Sequence, residues 1–193
     1  MRATPHQKII ANKISSEIFS DKKTYTDYWD DNREKSVVLF RAEDSPQRGV
    51  DTCSTVGLSA YPLLKDEKEI EVGTEIIGAC RSNFKNFDNM IATAAFCIIN
   101  TKWFCAPGVI FPDIVSMYQA SSTLSDLYFC PPFLWNDRLS GLTTDEKEIA
   151  WLLAVPISKA EAAFVSSFGA AQLEKLFEEA DLDIYDANRA SVA

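Results

Sequence analysis

Apolar positions along the chain follow two periods. Ile10, Ile14 and Ile18 stand four residues apart and line one face of a helix running to about Phe19. The stretch TPHQ ahead of them supplies a start signal: Thr4 as N-cap, Pro5 at the first helical position and Gln7 as capping-box partner. The period then shortens. Thr24–Trp29 and Ser36–Glu43 are rich in β-branched and aromatic residues and read as a pair of strands. After the turn Asp44–Gly49, strand character resumes over Thr52–Ser59 and Glu69–Cys80, so an antiparallel meander is expected.

The helical period returns between Phe84 and Asn100, where Phe87, Met90, Ile91, Ala94, Ala95, Ile98 and Ile99 fall on one face. Its small alanines predict close approach to a sheet. Pro107–Val115, Leu124–Cys130 and Glu148–Pro156 are three further strand candidates, the last a continuous apolar run suited to the middle of a sheet. A second capping box, Ser158 to Glu161, opens a helix that Gly169 ends, and Leu173, Leu176, Phe177 and Ala180 mark a short final helix. With neither repeat nor linker between these segments, the expected fold class is α+β: one domain over 1–193, a mixed, largely antiparallel sheet with helices packed against it.

Composition narrows the function. The 193 residues carry a formal charge of −9, a field that repels nucleic acid and anionic lipid and attracts basic proteins. Between Glu161 and Ala193, seven acidic residues face two basic ones, a local net of −5. Such a cluster reads either as a solvated helix face or as a surface imitating a polyanion. The opening MRATPHQKIIANK lacks the apolar core of a secretory leader, and no apolar run reaches membrane length, so a cytoplasmic protein is expected. Five cysteines without a CxxC pair predict reduced, mostly buried thiols.

Catalytic patterns are sparse. One histidine, His6 in the first helical turn, serves imidazole catalysis and metal binding poorly. Neither phosphate-cradling glycine motif occurs. Carboxylates from Glu43, Asp44, Asp51 and Glu75 could converge in the fold, Asp27–Glu34 lacks calcium-loop spacing, and Cys130 has no basic neighbour in sequence to activate it. No cofactor and no metal are expected.

Six short motifs, in order, resemble the Suppressor of Fused domain family in its bacterial single-domain branch: STVGLS (54–59), EIIGA (75–79), PGVIFP (107–112), LYFCPPFLW (127–135), AVPISKAE (154–161) and DANRASV (186–192). The likeness covers Ser36 onward, and the N-terminal helix and YWDDN also resemble bacterial members. Within that branch it points to antitoxins, or immunity proteins, that neutralise a toxin with a nuclease domain. The resemblance implies a binding protein whose partner is a basic cognate toxin, with no direct nucleic-acid or membrane partner. The animal members instead hold a transcription-factor peptide between two lobes, and the second lobe is expected to be absent here. A peptide-capturing scaffold and a carboxylate-dependent hydrolase remain as alternatives.

The loop CPPFLWND (130–137) is then either a hydrophobic cap on the sheet or an exposed aromatic anchor, and its union with a strand in one motif favours the cap. The expected partner-binding residues are Trp135, Asn136 and Asp137 of this loop with Glu174, Glu178, Glu179, Asp183 and Asp186 of the last helix and tail. Arg189 is expected to pair internally with a carboxylate such as Glu75.

Overall fold

The computed structural model describes residues 3–193 and, at Asp137, the backbone alone. Strands β1 (Lys23–Trp29), β2 (Ser36–Ala42) and β3 (Val50–Val56) form an antiparallel meander. A two-residue hairpin, β4 (Leu64–Lys65) with β5 (Lys68–Glu69), precedes β6 (Val72–Arg81), which pairs antiparallel with β3. The second half adds β7 (Ile110–Phe111), β8 (Asp126–Cys130), β9 (Leu142–Thr143) and β10 (Glu148–Ile157). The sheet order is β1-β2-β3-β6-β10-β8-β7, with β9 beside the start of β10. Only the β10–β6 pairing is parallel among the described strands, so the mixed, largely antiparallel sheet is as expected.

Helices α1 (Pro5–Glu17), α2 (Phe87–Thr101), α3 (Lys159–Phe168) and α4 (Ala170–Glu179) pack against this sheet. On one face, Met90, Ile91, Ala94 and Ile98 of α2 meet Leu39, Ile76, Phe129 and Leu152. Gly78 permits that approach, because a Cβ there would stand 2.7 Å from Phe87 Cζ. On the other face lie Ile10, Ile14 and Ile18 beside Phe40, Tyr128 and Trp151. β10 alternates between these layers: Leu152 and Ala154 serve the first, and Ile149, Trp151, Leu153 and Val155 the second. A strand buried on both faces needs an uninterrupted apolar run, and β10 has one.

Both predicted capping boxes form, Thr4 with Gln7 and Ser158 with Glu161. Gly169, at φ +89°, ends α3 and at once begins α4. Two readings need correction. Of the strand expected over Pro107–Val115, only Ile110–Phe111 pairs. Pro107 and Pro112 remove ladder donors on either side, and Asp126 Oδ1 instead accepts from the N–H of Asp113 at 2.8 Å. The helix expected from Phe84 begins at Phe87, because Asn86 takes a left-handed φ of +64° that interrupts it.

Candidate functional site

Pro131 and Pro132 stop β8, as their missing N–H groups require, and residues 133–139 follow as short helical turns. The loop splits its aromatics. Trp135 is 4% exposed and belongs to the core cluster of Ile10, Ile14 and Trp151, whereas Phe133 is 57% exposed. Burial of Trp135 under α1 agrees with the favoured cap reading of the loop and corrects its place among the expected partner-binding residues: Phe133 is the ring that meets solvent. Asn136 is exposed in an unusual backbone conformation, φ +52° and ψ −151°. The side chain of Asp137 lies outside what the structure describes.

Beside Phe133 a groove of about 450 Å³ opens between the Pro-Pro loop and α4. Its floor is sheet: Tyr128 and Cys130 from β8, Val155 from β10. Phe177 of α4 and Leu182 and Ile184 of the following turn form the far wall. That turn is held by the Leu182 N–H, which donates to the Phe177 carbonyl at 3.1 Å. Leu173 is buried beneath α4 and the amphipathic reading of this helix holds.

The acidic residues singled out in the sequence divide over this region. Glu174 is half-buried in the groove wall, where the Tyr128 hydroxyl donates to its Oε1 at 2.6 Å. Glu178, one turn on, is exposed at the same groove. The others point elsewhere: Glu179 pairs with Lys175 at 3.5 Å, Asp183 pairs with Arg81, and Asp186 accepts from the Asn188 N–H at 2.9 Å. The Tyr128 phenol is pushed upward by burial and by the Glu174 carboxylate. Burial, with Glu174 adding to it, pushes the Cys130 thiol up to about 12, so this groove cysteine is a poor nucleophile. Phe133, Leu182 and Ile184 line this candidate groove although they are not among the expected partner-binding residues. The only trace was an aromatic between two prolines and a buried tryptophan.

The candidate catalytic carboxylates are taken up by structural partners, Asp44 Oδ1 accepting from the Gly49 N–H at 2.7 Å. Asp51 pairs with Arg41 at 2.6 Å and accepts from the Ser82 hydroxyl at 2.7 Å. Glu43 faces Lys22 at the surface. Glu75, fully buried, accepts from the N–H groups of Gly57 and Ser59 at 3.0 Å and from the hydroxyls of Thr55 and Ser59 at 2.5 and 2.6 Å. The turn that presents these donors needs Gly57 at φ +99°. His6 Nε2 lies 2.8 Å from Ser59 Oγ, which ties α1 to the same cluster. Arg189 pairs internally with a carboxylate, as expected, but the carboxylate is Glu161 rather than Glu75. Among the described residues no group of three or more His, Cys, Asp or Glu is placed to hold a metal ion. No described helix is long and apolar enough to cross a membrane.

A two-layered core lies on a seven-membered sheet path, the buried carboxylates among the described residues are held by structural donors, and the fold is Suppressor of Fused-like. Solved structures share it: a SUFU (suppressor of fused protein) homolog from Neisseria gonorrhoeae at TM-score 0.74 and 14% identity, covering 97% of each chain. The protein of a Sufu-Fu complex aligns at TM-score 0.58 and 12% identity, over 99% of this chain and 93% of that one. The chain belongs to the Suppressor of fused protein (SUFU) family, whose model matches residues 32–190. It is also 36% identical over 192 residues to Immunity protein YqcF of Bacillus subtilis (strain 168), covering the whole of both chains.

Proposed function

We propose that the protein is an immunity protein, an antitoxin that binds a cognate toxin and neutralises it without chemistry of its own. The carrying observation is the end-to-end 36% identity to Immunity protein YqcF. The charge of −9 supports a basic partner, and a nuclease fits best, because a site built for phosphates is lined with lysine and arginine. Glu178 and Glu179, exposed on α4, belong to the surface that steers it. The cytoplasm is the compartment in which such an inhibitor meets its target. Co-expression with the toxin encoded beside its gene tests the reading: a stable complex and surviving cells are expected, and a toxin that neither binds nor is neutralised overturns it.

A second reading has one specific observation in its favour. β1 ends the sheet, is mostly exposed, and pairs with β2 alone among the described strands, so an extended peptide could add to its outer side. Replacing Tyr25, whose N–H faces away from β2, by proline would remove an outer-edge donor and weaken that addition while leaving binding at α4 intact.

A further inference from the structure

We infer that the groove between Phe133 and α4 is the toxin-docking pocket, and that it receives an apolar side chain flanked by lysine or arginine. This rests on the immunity-protein reading and adds the epitope and the chemistry of what fills it. The groove differs from an acidic patch in having a real apolar floor. Its 450 Å³ lies within the roughly 300–1,000 Å³ of pockets that take ligands or anchoring side chains. Tyr128, Cys130 and Val155 are buried in its base, while Phe133 stands exposed on its lip. Its two charged lining residues, Glu174 and Glu178, are both anionic. An occupant must therefore match apolar surface below and negative charge at the rim, which excludes nucleic acid and other polyanions and selects a cationic protein segment.

The pocket is also preformed. Pro131 and Pro132 fix the approach to Phe133, whose N–H donates to the Pro131 carbonyl at 2.9 Å, and Tyr128 holds the Glu174 carboxylate in place. Little ordering remains to be done on binding, the condition under which a central aromatic becomes an energetic hot spot.

The test uses full-length protein with Phe133→Ser, Glu174→Gln and, outside the groove lining, the exposed-residue control Met117→Ser. Against the toxin encoded beside the gene, Phe133→Ser and Glu174→Gln should each weaken binding about tenfold or more at unchanged melting temperature, and the control should bind as wild type. Wild type that binds while both groove variants bind equally well overturns the pocket and leaves the immunity reading standing. A second probe does not depend on the toxin: acetyl-Phe-Arg-Arg-amide, titrated into ¹⁵N-labelled protein, should shift residues 130–133 and 174–184, and acetyl-Phe-Glu-Glu-amide should not. Those shifts without toxin binding sustain the groove and defeat the immunity reading. Equal or absent shifts with both peptides overturn the groove chemistry, as does a wild-type dimer that Phe133→Ser converts to monomer, which would place a second copy of this chain in the groove.

Discussion

Arg189 closes on Glu161 through two prongs, Nη1 to Oε1 at 2.6 Å and Nη2 to Oε2 at 3.0 Å, in a site from which both side chains are almost wholly withdrawn from water. The guanidinium also donates to the Pro156 carbonyl at 3.0 Å and lies over the Phe177 ring. One pair thus joins the end of β10, the start of α3, the inner face of α4 and the C-terminal tail. Removing either partner leaves a buried charge uncompensated, so Arg189→Ala and Glu161→Ala should each cost about 3–5 kcal/mol in urea unfolding, and the double variant less than their sum.

The same carboxylate sets an acid limb. Burial alone would raise the Glu161 pKa, but the Arg189 guanidinium and the N–H groups of Ser158 and Val192 outweigh it and hold the group below the ordinary glutamate value of 4.5. A folded pKa below the unfolded one gives stability that is complete above pH 4.5 and lost as pH falls through the folded value. Melting temperature should therefore fall with acidification below that point. Glu161→Gln, less stable at neutral pH, should show a shallower fall.

Glu75 is balanced by hydrogen-bond donors rather than by a cation. Glu75→Gln turns an acceptor-only group into one that presents two donors to other donors, and should cost at least about 3 kcal/mol. Glu178→Ser, on an exposed helix face, should stay within about 0.5 kcal/mol. Thermal unfolding of the two variants side by side checks the contrast.

Thiol reactivity should follow burial. Desolvation raises Cys53 and Cys130 to about 12 and pushes Cys80 and Cys105 higher still, while Cys97 is only half-buried and raised less. In native protein at pH 8, iodoacetamide should modify Cys97 first and slowly, and the other four only after unfolding. Mass spectrometry of the peptides reads the order directly.

The steering proposed for α4 has a kinetic signature. Glu178→Ser with Glu179→Ser should slow association with a basic toxin at low salt, with the difference fading as ionic strength rises and dissociation little changed. An association rate indifferent to both substitutions across the salt series would mean that α4's outer face only solvates the helix.

What the sequence discloses depends on how local the cause is. Thr4–Gln7 and Ser158–Glu161 act over three residues, and both helix starts were legible from them. The double-sided burial of β10 showed as an unbroken apolar run. The partner of Arg189 was not legible, because Glu75 and Glu161 both offered a carboxylate and only the tail's path decides between them. Trp135 and Phe133 are two residues apart in one loop, and their opposite fates follow from where α1 lies, which no nearby residue encodes.

The central position of β10 has a cost in time. Residues 82–147 must be made before the strand that pairs with β6 exists, so until then any meander β1-β2-β3-β6 would have its innermost edge unpaired. Such an edge, rich in Ile76, Ile77 and Ala79, is a template for intermolecular pairing until β10 arrives. A chain cut short before β10 is therefore expected to aggregate more readily than the finished one.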